Sequence, residues 1–367
     1  MAVTVPGGGS VNTSTLGSST ATTLGNVIQT LNSGNATFAG STVTSTTLSG
    51  ATDNSVIGSG KILSTTIGTG VTGVVNLTGQ SGSGTEIVTQ GGTTGSQVIL
   101  SSATNTVVAL NDASNVINTG SGNATVVAGG GNNLIGTATS GGNMDVVLGS
   151  GANTVVAAAG NNTIVGGTGG GLIGLGSGNN VVNLGTSSGA TVFGGTGSAS
   201  ITAGTNSTVV GGTGNAASTI VGGAGDVIFA GTGSANNVVT AGAGNETLSG
   251  ATSTGNNTFT AGSGNTLIGG GAGNDTIVGG TGNTTMFGGA GNNVFSFVSG
   301  NKTQATIGDF SSTDKISLSG FSGQTASQIL ANATVNSAGG LTYTQITLSD
   351  GTKLTIVGSA LTANSFS

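Results

Sequence analysis

Four nine-residue units follow one another without a gap from Ala261 to Ser296: AGSGNTLIG, GGAGNDTIV, GGTGNTTMF and GGAGNNVFS. Each carries glycine at its second and fourth places, asparagine at the fifth and an apolar residue at the eighth, namely Ile268, Ile277, Met286 and Phe295. The Gly-Asn pair supplies the positive φ of a tight bend, so a unit reads as a turn followed by a short strand. One unit cannot bury its single apolar side chain alone. Successive units must coil and stack, placing residues 18 apart above one another with strands about 4.8 Å apart in a parallel ladder. Asn265 is expected over Asn283, and Asn274 over Asn292. The fold class that follows is all-β, a parallel β-solenoid closed by a short C-terminal cap of strands and helix.

The same grammar continues upstream with small insertions, as in GGTGNAASTIV from Gly211, GGAGDVIFA from Gly222 and AGAGNETLS from Ala241. Between about residues 120 and 200 it loosens to Gly-x-Asn-x-apolar-apolar. The first hundred residues differ, with more Thr and Ser and fewer Gly-Asn turns. STVTSTTLSG from Ser41 and KILSTTIGTG from Lys61 read as strands, and Asn26–Ser33 as a short helix or cap. The expected division is therefore 1–100 as a Thr/Ser-rich β segment, 101–300 as the Gly/Asn-rich solenoid and 301–367 as the cap.

Composition narrows the chemistry. Among 367 residues there is no His, Cys, Trp or Arg. Imidazole bases, thiol nucleophiles, disulfides and the usual zinc or iron sites have no ligands to draw on. Four Lys against ten acids, a net charge of -6, cannot neutralise a run of phosphates, so neither nucleic acid nor an anionic membrane is expected as a partner. No apolar run reaches the roughly 20 residues of a membrane-spanning helix. The acids are scattered and form no evident pair for hydrolysis. The expectation is a protein that is not an enzyme.

These units resemble the glycine- and aspartate-rich nonapeptides of the RTX, or haemolysin-type calcium-binding, β-roll family. GGAGNDTIV, Gly270–Val278, has that pattern at every defined place. TIGDFSSTDKISLSGF from Thr306 is similar to the segment that follows the repeats in that family, and TASQILANA with the strands after it to the closing cap. The resemblance implies export by a type I system of a Gram-negative bacterium, read from an uncleaved C-terminus. The first ten residues, which show neither a basic nor an apolar signal region, agree with that route.

The resemblance further implies calcium held by aspartates at the sixth place, paired across adjacent turns, with glycine carbonyls completing an oxygen shell. Here the sixth places read Thr266, Asp275, Thr284 and Asn293. One carboxylate remains, so calcium is expected at one or a few weak sites, with Asp275 and Asn293 as ligands and Asp309 as a cap on a last site or on a turn. The alternative for Asp275 is an exposed turn aspartate. Asp226 and Asp145 fall at the fifth place and are less secure candidates. Neutral Asn and Thr turns carry no repulsion for an ion to offset, and the coil should hold with little calcium.

The outer surface is unusual for such repeats. Apolar doublets recur at Val107-Val108, Val126-Val127, Val146-Val147, Val155-Val156, Val181-Val182, Val209-Val210 and Val238-Val239. A strand must turn one member of each doublet outward, and stacking aligns them into a stripe of the kind that marks an interface. The expected role is a secreted structural protein whose partner is itself, assembling into a filament, surface layer or biofilm matrix. Its alternatives are a monomeric adhesin that binds cell-surface polysaccharide and, less favoured because the Thr-x-Thr pairs are unevenly spaced, an ice-binding protein.

Overall fold

The computed structural model describes residues 2–4, 10–12, 43–48, 52–53, 62–67, 73–77, 85–90, 97–101, 105–110, 112–136, 141–338 and 341–367. Asn26–Ser33, read as a helix or cap, lies outside the described residues. The chain forms two compact units, 1–191 and 192–367.

Within the first unit, strands alternate between two parallel sheets. One contains Val43–Leu48, Ile62–Ile67, Thr85–Gln90, Asn105–Ala109, Asn123–Val127, Met144–Val147 and Thr163–Val165. The other contains Thr52–Asp53, Gly73–Leu77, Gln97–Ser101, Val116–Asn118, Leu134–Gly136, Asn153–Ala157 and Gly171–Leu175. The Thr-rich strands before residue 100 thus join the same parallel ladders. A short antiparallel pair, Ala2–Thr4 with Ser10–Asn12, forms a separate sheet.

The second unit repeats the arrangement with cleaner spacing. Ile201, Ile220, Val239, Phe259, Ile277, Phe295 and Ile316 form one inward column in register. Val209, Ile228, Leu248, Ile268, Met286, Ile307 and Ile356 form the other. Every one of these side chains is at most 2% exposed. The eighth-place residues are therefore the core, as the repeat requires. Each contributes about 1.5–3 kcal/mol on burial, and only through neighbours on both sides.

Glycine makes the turns stackable. Gly291, at a fourth place, has φ +99, and a Cβ there would run into the carbonyl of Gly273 one coil below. No other residue can occupy both that conformation and that gap.

The C-terminal cap ends the parallel pattern. Gln304–Phe310 pairs parallel with Lys353–Gly358, which pairs antiparallel with Leu341–Thr347, itself antiparallel to Thr334–Ala338. The helix Ala326–Ala331 begins at a capping box of Thr325 and Gln328 and buries Ile329. Phe366 bridges to Ile316, and Ser367 N donates to Ile316 O. The last residues thereby cover part of the other sheet's edge.

Candidate metal centre and the amide ladder

Two residues before many of the inward apolar side chains, at the corner where turn becomes strand, a polar side chain is buried in the coil. In the first unit asparagines hold this place at Asn115, Asn133, Asn153, Asn162 and Asn180, whereas Ala124 and Met144 stand there before Val126 and Val146. Asn115 N and Nδ2 both donate to Asn133 Oδ1 at 3.1 and 3.0 Å, and Asn133 N and Nδ2 both donate to Asn153 Oδ1 at 3.0 and 2.9 Å. Each Nδ2 also donates to a carbonyl of its own turn: Asn115 to Ala113 O, Asn133 to Gly131 O and Asn153 to Gly151 O, at 2.7–2.8 Å. Asn162 and Asn180 repeat the scheme in the opposite sheet. An amide offers both donors and acceptors, so a neutral column satisfies itself. Carboxylates only accept and would repel one another.

The second unit carries Asn237, Asn257, Asp275, Asn293 and Asp314 in the same role. Asn237 donates twice to Asn257 Oδ1, and Asn257 donates twice to Asp275 Oδ1, at 2.7 Å from N and 3.1 Å from Nδ2. Asp275 N donates to Asn293 Oδ1 at 2.9 Å, and Asn293 N to Asp314 Oδ1 at 2.8 Å. Asp275 cannot pass a side-chain donor onward. Its Oδ2 and the Nδ2 of Asn293 are both buried without a hydrogen-bond partner.

Asp275 is therefore not an exposed turn aspartate; it is 1% exposed. The register lifts the sixth place off the turn and into the coil, two residues ahead of Ile277. Burial pushes its carboxyl above the ordinary aspartate value, while the N–H groups of Asn257 pull it down. A Cβ added to Gly270 would lie 2.5 Å from both Asp275 Oδ2 and Gly288 O, and one added to Gly288 would lie 2.6 Å from Asn293 Nδ2. Asp275 thus packs against Gly270, and Asn293 against Gly288 one coil on. Asp309 touches the same turn from outside, accepting from Gly288 N and Gly289 N at 2.8 Å each. Its oxygens close a turn instead of facing Asp275.

Asp226 is fully buried, with Oδ1 accepting from Ser207 N at 2.7 Å and Oδ2 from Gly223 N at 2.6 Å. The register of Val227 against Thr247 places it beside Glu246, 3% exposed, whose oxygens accept from Gly242 N at 3.0 and 2.8 Å. Glu246 stands at the sixth place of AGAGNETLS, but counting forward from the glycines hides its pairing with Asp226, because the turn GAGD is one residue short. Counting back two from Ile228 and Leu248 finds it. Burial and the neighbouring Asp226 charge push Glu246 up to about 7, against the Gly242 N–H that pulls it down. Burial also raises Asp226. Asp145 is exposed and hydrogen-bonds Thr163.

A hard cation needs convergent oxygens. The asparagine rungs do not fit one, since an amide NH2 points at the very carbonyls an ion would use. The Asp275 rung fits in part: it holds one buried carboxylate oxygen with no hydrogen-bond partner. The Asp226–Glu246 pair fits in part as well, with two carboxylates on adjacent coils. Among the described residues no cluster of three or more acidic, His or Cys ligands occurs. When bound, calcium would supply the positive charge that these buried carboxylates lack.

No curated protein matches the chain. The family model described as RTX calcium-binding nonapeptide repeat (4 copies) matches residues 106–136, 147–182, 222–252, 240–276, 251–286 and 269–301. These stretches coincide with the amide-ladder coils of both units, and calcium is the ion that such repeats bind. The chain carries RTX calcium-binding nonapeptide repeats folded as a parallel β-solenoid, with most of the repeat aspartates replaced by Asn and Thr.

Proposed function

We propose that this is a secreted structural protein, exported by the type I route and assembling with copies of itself into an extracellular filament, layer or matrix. The RTX β-roll points to a secreted calcium-binding protein; the assembly reading goes beyond that and rests on the outward faces of the sheets. In the first unit Val116, Leu134 and Leu172 are 41–45% exposed and lie on one line, with Thr154 between the last two. In the second unit Val227 and Leu267 share a line through Thr247, and Phe229 and Phe287 share another through Ser249 and Gly269. Val156, Val181 and Val238 are the outward members of their doublets, each at least 42% exposed. Val126-Val127 departs from that pattern, with both residues buried. Apolar lines broken only by Thr, Ser and Gly, on a chain with 4% charged residues, favour association over dispersal.

The test is negative-stain microscopy with sedimentation velocity on the purified chain in calcium-containing buffer. Fibres or lattices with a defined repeat are expected. Isolated particles at all concentrations, with specific retention on a polysaccharide, would favour the adhesin reading instead.

A further inference from the structure

On the outer face of the C-terminal cap, four adjacent strands build a trough of about 570 Å³. Its floor crosses Asn283–Gly289, Gln304–Phe310, Lys353–Gly358 and Leu341–Thr347, with Gln304 beside Lys353, and Thr306 beside Thr355 beside Gln345. The outward side chains are hydroxyls and amides with a single ammonium, that of Lys353, and no acidic side chain lines the trough. Two residues beyond the lining Thr285, on the same face of its strand, Phe287 is 41% exposed, and its ring lies across Gly308 so closely that a Cβ there would collide with it. The glycine lets the ring lie over the strand and present its other face to solvent. Tyr343 stands two residues from Gln345 on the same face of its strand.

The geometry points to this trough as a binding site for an anionic glycan, a run of sugar rings bearing carboxylates. Rows of Thr, Gln and Asn exchange hydrogen bonds with sugar hydroxyls. A ring lying over the sheet offers an apolar face to the C–H side of a sugar. Strands repeat every 4.8 Å or so, close to the length of one sugar in an extended chain, so successive strands can address successive rings. Lys353 supplies the one charge and selects a carboxylate, as a flexible point charge does. Most of the acids lie elsewhere in the chain, and at physiological ionic strength fields fade within about 8 Å, so the net negative charge does not prevent local capture. The site does not depend on self-assembly, since it lies within one copy.

Tyr343 is the only tyrosine and there is no tryptophan, so near-ultraviolet emission reports on this face alone. Trigalacturonate and, as the neutral counterpart, maltotriose are titrated into the full-length protein while tyrosine emission and heat are followed. Saturable binding of trigalacturonate is expected, about tenfold tighter than maltotriose. Lys353→Gln should erase that preference, Phe287→Ala should weaken both sugars several-fold, and Lys315→Asn, on the opposite sheet, should change neither. Equal affinity for the two sugars, no binding of either, or a Lys353→Gln protein that still prefers trigalacturonate would overturn the assignment. Should Lys353→Gln fail to give a cooperative melt, Gln304→Ala is read the same way, with a loss of trigalacturonate affinity supporting the site and an unchanged affinity overturning it. Binding is read at protein concentrations where sedimentation velocity shows single copies, so that Phe287, which also stands on an outward apolar line, is uncovered; failure of the glycan reading then leaves the assembly reading standing, and the reverse.

Discussion

Asn257 grips Asp275 twice, through its backbone N at 2.7 Å and its Nδ2 at 3.1 Å, and both bonds fall on the same carboxylate oxygen. The other oxygen is left buried and unpartnered, and on the next rung the Asn293 amide nitrogen is in the same condition. Here the amide ladder is interrupted, at a residue that stands at the sixth place of its nonapeptide, where the RTX pattern has aspartate.

Asp275→Asn should repair the column. The new Nδ2 can donate to Asn293 Oδ1, and the cost of desolvating a carboxylate disappears, so a gain of about 1–2 kcal/mol is expected in calcium-free buffer. Thermal unfolding with chelator present checks it. The wild type should gain from calcium by about 1.4 kcal/mol when the ion is at ten times its Kd, and the variant should gain less. A variant that melts well below wild type in chelator would contradict the ladder account.

Much of this column was legible in the sequence and some was not. Inward Ile268, Ile277, Met286 and Phe295 follow from nine-residue spacing, and so does the stacking of Asn283 on Asn265 and of Asn292 on Asn274, at 3.0 and 2.7 Å. The burial of the sixth place did not follow, because a residue next to a Gly-Asn turn reads as solvated until the turn is seen tucked under its neighbour. Glu246 was legible at the sixth place of AGAGNETLS, but its pairing with Asp226 was hidden for a different reason. Stacking is in register at the strand, whereas the motif is counted from the turn, and a one-residue deletion separates the two frames.

That carboxylate pair predicts an unusual pH dependence. Glu246 has a folded value near 7 against an ordinary one of 4.5, so the folded chain holds a proton that the unfolded chain releases between those values. The stabilising contribution is complete below about pH 4.5, falls as pH rises through 7, and is absent above it. Melting should drop across this window by the equivalent of about 1–2 kcal/mol once solvent screening is allowed for. Glu246→Gln should hold the low-pH stability at pH 8. A wild-type profile flat from pH 4.5 to 8, or one that rises, would refute the raised Glu246 value.

Removing a single amide from the closed column should be costly. Asn133→Ala strips the acceptor from Asn115 N and Nδ2 and the donor from Gly131 O in one step. Leaving buried backbone groups unpaired puts the loss at about 2–4 kcal/mol. Asn132, one residue earlier and exposed, accepts only from Ala152 N, and its change to Ala should cost under about 1 kcal/mol. Urea unfolding of the two variants side by side measures the difference, and equal midpoints would show that the ladder does not hold register.

Assembly and folding should separate at the outward lines. Leu134 and Leu172 contribute little to the core, since Ile135 and Ile173 beside them are at most 2% exposed and carry the inward packing. Leu134→Lys with Leu172→Lys adds two positive charges on one line of the sheet, where Thr154 separates them and each is free in water. The melting temperature should move by only a few degrees, whereas charge on a formerly neutral line opposes face-to-face association of identical copies. Sedimentation velocity should then show a monomer under conditions where the wild type polymerises. If the double variant assembles as readily as the wild type, the interface lies on other columns, with Phe229 and Phe287 the next to change.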